Sequence, residues 1–135
     1  MIKAASVEIL YRTEFSNGKN RSIADTTFDK GGSGDGFRPH ELLEAALATC
    51  MNMSMRMHAQ RQGIALSSVS TTVVLDRSKA DEVCFEYSVA LPEDLSEADH
   101  QKLLEVAQTC SVHKTLSKKL TFRGSHPLAA EKSES

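Results

Sequence analysis

The chain carries three cysteines, Cys50, Cys84 and Cys110. A thiol reacts as the thiolate, so its surroundings decide whether it is a nucleophile or inert packing. Cys50 falls within the apolar run Leu47-Ala48-Thr49-Cys50-Met51, a setting in which free cysteine is commonly core. Cys110 falls at a break and is followed by Ser111, Val112, His113 and Lys114, where nearby positive charge could hold a thiolate. Cys84 is out of phase with the alternating Val83, Phe85 and Tyr87, and reads as packing or surface. Two thiols in unlike settings are what peroxide reduction by thiols requires. One attacks the peroxide oxygen and becomes a sulfenic acid. The other condenses with it to a disulfide, which an outside thiol reopens by exchange. Cys50 and Cys110 are far apart in sequence, so only tertiary folding can pair them. A metal site of Cys50, Cys110, His58 and His113 has one close pair, Cys110 with His113, and no Cys-x-x-Cys spacing. Neither a metal nor a cofactor is expected.

The elements that must position these thiols are legible in outline. Residues 2–15 read as one strand, with Val7, Ile9 and Tyr11 in alternation. The run Ser16-Asn17-Gly18-Lys19-Asn20 is a hairpin turn, and a second strand follows from Ser22 to Phe28. The glycine-rich stretch from Lys30 to Gly36 lacks both the Gly-Lys-Ser/Thr ending of a P-loop and the spacing of a dinucleotide fingerprint. It reads as a flexible connector or lid. Pro39 suits the first turn of a helix, which the sequence carries to about Gln62, with Gly63 as its C-cap. Leu42, Leu43, Leu47, Met51, Met53, Met55 and Met57 put apolar side chains on almost every face of it. Such a helix is roughly 36 Å long, as long as a domain of this size is wide, so a homodimer is expected to cover it.

Ser67–Asp76 and Val83–Leu91 alternate as a hairpin. Ser96 opens a further helix, with Asp99 three residues on and Leu103, Leu104, Val106 and Ala107 as its apolar face. A short helix over Val112–Lys118 and a last strand over Leu120–Arg123 complete the order β-β-α-β-β-α-α-β. The class is α+β, with hairpins packed on a central helix. One domain spans 1–135, with a polar tail from about 127 to 135 expected to fray. The near balance of 16 basic and 18 acidic residues argues against a nucleic-acid face. No apolar run reaches the roughly 18 residues of a membrane span. The first ten residues lack the apolar core of a signal peptide, and free thiols suit a reducing compartment, so a cytoplasmic location is expected.

The segment Phe37-Arg38-Pro39-His40-Glu41-Leu42-Leu43-Glu44-Ala45-Ala46-Leu47-Ala48-Thr49-Cys50 resembles the helix signature of the OsmC/Ohr family, the osmotically inducible protein C and organic hydroperoxide resistance proteins. Cys110-Ser111-Val112-His113-Lys114-Thr115-Leu116 resembles that family's second-cysteine segment. The resemblance spans nearly the whole chain. It implies an OsmC-like fold of antiparallel hairpins wrapping a long central helix, in an intertwined homodimer with its active site at the subunit interface. It implies a peroxidatic Cys50, a resolving Cys110, an organic hydroperoxide as substrate in an apolar pocket, and a role in oxidative-stress defence. The reductant it implies is a thiol, either a dihydrolipoyl group or a small thiol.

In the family an arginine and a glutamate hold the first cysteine as thiolate. His40 stands where that glutamate is usual, and Glu41, about 100° further round the helix, is the candidate carboxylate. Arg12, Arg21 and Arg38 are candidates for the arginine, Arg21 first, because a hairpin of the partner could carry it to the site. Ser111 replaces the usual proline and leaves a backbone N–H that could donate to the sulfur of Cys110. The irregular glutamate and arginine motivate an alternative: a non-catalytic small-ligand-binding protein on the same dimeric scaffold.

Overall fold

A computed structural model describes residues 1–125, so the expected tail from about 127 lies outside the described residues. The stretch expected as one strand is two, β1 (Lys3–Ser6) and β2 (Thr13–Ser16), paired antiparallel with Lys3 opposite Ser16 and Ser6 opposite Thr13. Between them the chain folds back on itself, Val7 N–H donating to the carbonyl of Arg12 at 3.4 Å and Arg12 N–H to that of Ile9 at 3.1 Å. Tyr11 makes the reversal with φ at 67°. Bulky residues seldom take that left-handed conformation, so the alternation of Val7, Ile9 and Tyr11 gives no hint of it. The Asn-Gly turn forms as expected, with Asn17 Oδ1 accepting from the N–H groups of Lys19 and Asn20 at 2.9 and 2.8 Å. It leads into β3 (Arg21–Ala24), which pairs antiparallel with β2. β3 stops short of Phe28 because Phe28–Lys30 coils into a single 3-10 turn.

The glycine-rich stretch is pinned, which corrects the expectation of a flexible connector. Buried Asp25 accepts from Thr26 N–H at 2.7 Å, from Ser33 N–H at 3.2 Å and from the Ser33 hydroxyl. The Arg12 guanidinium donates to Asp35 and to Ser33 Oγ, and Arg38 donates to the carbonyls of Asp25 and Gly34 at 2.6 and 2.8 Å. Phe37 then runs beside β3, donating to Ile23 O at 2.9 Å and accepting from Asp25 N–H at 3.0 Å. Gly36 makes this approach possible: its φ is +70°, and a Cβ there would overlap the Ile23 carbonyl.

The helix α1 therefore starts at a fixed place. It spans Pro39–Gln62, the bounds expected, closed by Gly63 at φ 68°. Leu47, Met51, Met55 and Ala59, one helical turn apart, form its buried stripe. The hairpin of β4 (Ser70–Asp76) and β5 (Cys84–Ala90) packs across α1, with Ser70 opposite Ala90 and Asp76 opposite Cys84. Helix α2 (Glu97–Ala107) is capped by Ser96, whose Oγ accepts from Asp99 N–H at 3.1 Å, and it buries Leu103 and Ala107 against α1. Helix α3 (Ser111–Leu116) follows after a sharp bend. Leu120–Arg123 is not a strand, because no sheet edge of the described residues pairs with it. No helix of the described residues is long and apolar enough to cross a membrane.

Candidate active site

The bend between α2 and α3 brings the two distant thiols together. Cys110 is the N-cap of α3, its sulfur accepting from His113 N–H at 3.4 Å. It is buried at 2% exposure, while Cys50 is half-buried. With α3 packed against α1, Cys50 Sγ lies 3.4 Å from Ser111 Oγ and accepts from Val112 N–H at 3.4 Å. The Cys110 thiol and Ser54, one helical turn on from Cys50, are close enough to favour the charged form of its sulfur as well. Spacing along the helix could have indicated Ser54 in advance; no pattern in the sequence indicates the Val112 N–H.

The two thiols are shifted in opposite directions. Burial pushes the Cys50 thiol up, but the hydrogen bonds from Ser111, Val112, Cys110 and Ser54 together outweigh it and hold Cys50 below its ordinary value. Cys110 is held above its ordinary value, by burial first and then by the neighbouring Cys50 sulfur, with only partial opposition from backbone N–H groups. Two expectations are corrected here. His113 reaches Cys110 through its backbone N–H rather than through charge. Ser111 meets Cys50 with its hydroxyl, and the N–H groups at the two sulfurs belong to Val112 and His113.

The other expected site residues lie elsewhere within the chain. Glu41 accepts from Arg38 N–H at 2.7 Å, a helix-capping bond, and His40 is exposed. Arg21 pairs with Glu14 at 3.2 Å on the exposed hairpin. Arg12 and Arg38 hold the glycine-rich loop. Cys84 is exposed at the start of β5 and lines a cavity of about 240 Å³ with Leu47, Phe85, His113 and Leu116. Among the described residues no three His, Cys, Asp or Glu side chains gather as a metal site would need.

The family model for OsmC-like proteins matches residues 32–123, from the glycine-rich loop through both cysteines. The chain belongs to the OsmC-like family. Solved structures with this α+β fold include a candidate osmotic stress induced and detoxification response protein from Psychrobacter arcticus, with a TM-score of 0.71 at 24% identity over 84% of this chain and 85% of that one. An organic hydroperoxide resistance protein OsmC from Legionella pneumophila has a TM-score of 0.62 at 21% identity over 87% and 88% of the two chains. The organic hydroperoxide resistance protein OhrB of Bacillus subtilis has a TM-score of 0.61 at 18% identity over 88% and 90%. No curated protein matches the sequence. At these identities the likeness is one of fold, so what this OsmC-like protein does has to be argued from its own site.

Proposed function

We propose that this OsmC-like protein is a thiol peroxidase that reduces organic hydroperoxides in oxidative-stress defence, with Cys50 peroxidatic and Cys110 resolving. The observation that carries this reading is the seating of Cys50 Sγ against the first turn of α3, at 3.4 Å from both Ser111 Oγ and Val112 N, with buried Cys110 as the N-cap of that same helix. The Cys50 thiolate attacks the peroxide: an S–O bond forms, the O–O bond breaks, and the alkoxide takes a proton and leaves as the alcohol. The Cys110 sulfur then attacks the Cys50 sulfenic acid, so that an S–S bond forms, the S–O bond breaks and water departs. An outside thiol, dihydrolipoyl or small, returns both cysteines to thiols by exchange.

The reading includes a cytoplasmic homodimer. It keeps Arg21 as a cation that the hairpin of the partner subunit would bring to Cys50, with Glu41 as the accompanying carboxylate. The purified protein should consume cumene hydroperoxide in the presence of dihydrolipoamide, and Cys50→Ser should abolish that consumption. Unchanged turnover in Cys50→Ser would end the proposal.

A second reading, a small-ligand-binding protein on the same scaffold, draws on the engagement of Glu41 and Arg21 by other groups of the chain. A titration separates the two. If Cys50 stays reduced under excess organic hydroperoxide, the binding reading stands.

A further inference from the structure

We propose that Ser111, through its side-chain hydroxyl, is the residue of this chain that holds Cys50 as a thiolate, jointly with the Val112 N–H. The site proposed above gives this role its purpose, but its test does not depend on turnover. Cys50 stands in mid-helix, where the helix dipole gives it little, since that effect fades within the end turns. Among the described residues no arginine or lysine is bonded to its sulfur: Arg12, Arg21 and Arg38 are all engaged elsewhere. What reaches it from another element is the first turn of α3, with Ser111 Oγ and Val112 N each at 3.4 Å.

A hydroxyl donates or accepts as its partner demands. Against a neutral thiol either atom can be the donor; against a thiolate Ser111 must donate, so this bond favours the charged form. The titratable group beside Cys50 on the facing elements is Cys110, whose thiol burial holds above its ordinary value. His113, further along α3, lines the cavity beside Leu47 and Phe85. The family's usual proline at this position would supply no hydroxyl, so the device belongs to this sequence. A second consequence follows from position. Ser111 directly succeeds Cys110, the N-cap of α3, so the segment that presents the resolving sulfur is the same one that acidifies the attacking sulfur.

The test is the pH dependence of iodoacetamide alkylation of the full chain, followed at each cysteine by mass spectrometry. The Cys50 midpoint should rise by roughly one unit in Ser111→Ala, the size expected for loss of one hydrogen bond to a charged group. Ser111→Pro, which suits the first turn of a helix, should rise likewise, and Ser111→Thr should restore the wild-type midpoint. A merely structural role for Ser111 would alter thermal unfolding but leave the Cys50 midpoint in place. A Cys50 midpoint unchanged in both Ser111→Ala and Ser111→Pro, with helical content retained by circular dichroism, overturns the assignment whether or not peroxide is consumed. A raised midpoint in a protein that consumes no peroxide upholds it and sinks the peroxidase reading instead.

Discussion

The proposed division of labour rests on surroundings that hold Cys50 below and Cys110 above the ordinary thiol value, although the two thiols are chemically alike in the unfolded chain. Thiolate is the nucleophile, so below the free-thiol value of about 8.5 the less acidic thiol is the slower of the two. At neutral pH iodoacetamide should modify Cys50 well before buried Cys110, and the Cys110 curve should rise only at more alkaline pH. If peroxide makes a sulfenic acid at Cys50, Cys110→Ser removes the group that condenses with it. One equivalent of cumene hydroperoxide should then leave a dimedone-reactive Cys50 in Cys110→Ser, whereas the wild type forms a disulfide instead. An equal disulfide yield in both proteins would show that Cys84, exposed on β5, is the resolving thiol.

The pair itself was legible in sequence, because each cysteine sits in a motif with its own neighbours. The partner of Ser111 was not. Which sulfur its hydroxyl meets depends on how α2 and α3 both pack on α1, through Leu103, Ala107, Cys110, Val112 and Leu116 together, and no local pattern around Ser111 encodes that.

Among the elements, α1 was the most legible because its ends are set locally, by Pro39 at the start and by Gly63 in the left-handed conformation at the close. The hairpins were less so. β1 and β2 are divided by Tyr11, whose positive φ is imposed by the path of the chain and not by its own preference. The glycine-rich loop shows the same limit: its composition suggests freedom, while its order comes from Asp25, Arg12 and Arg38, residues in three other segments.

Asp25 ties that loop to β3, and its carboxyl is held below its ordinary value by the Ser33 hydroxyl first, against the opposing effect of burial, and then by backbone N–H groups and Arg12. A carboxyl depressed in the folded state contributes stability above its unfolded value of about 3.9 and loses it as pH falls through the folded value. Acid unfolding of the wild type should therefore include proton uptake at Asp25. Asp25→Asn, with no proton to take up there, should be less stable at neutral pH and have a shallower acid limb, measured by denaturant melts at a series of pH values. Parallel acid limbs would show that the loop is held without this carboxylate.

At the scale of the whole molecule, the single chain leaves much of its apolar surface uncovered. On α1 the stripe of Leu47, Met51, Met55 and Ala59 is covered, but Leu43, Met53 and Met57 remain 45%, 59% and 49% exposed. Between the N-terminal sheet and the start of α1 lies a cavity of about 830 Å³ whose lining, including Ile2, Tyr11, Phe15, Pro39 and Leu42, is mostly apolar. Phe122, in the stretch expected as a strand, is 97% exposed. Single exposed apolar side chains are ordinary, whereas a run of them along one helix, beside an open apolar hollow, marks an interaction surface. A second copy is the occupant proposed, since it would cover the free side of α1 and bring the exposed hairpin of Arg21 to a neighbouring Cys50. Sedimentation equilibrium should then give about twice the 14.8 kDa chain mass. Charging the surface with Met53→Glu and Met57→Glu together should shift the protein to monomer, because an interface tolerates unpaired buried carboxylates poorly. The same double variant separates the two sources of Cys50 acidity. The Ser111 and Val112 bonds lie within one chain and survive dissociation, so the Cys50 midpoint should stay in place if they alone hold the thiolate, and should rise only by whatever part Arg21 of the partner subunit supplies. A wild-type chain that sediments as a monomer would leave Arg21 on its own hairpin, paired with Glu14, and confine the activation of Cys50 to groups of its own chain.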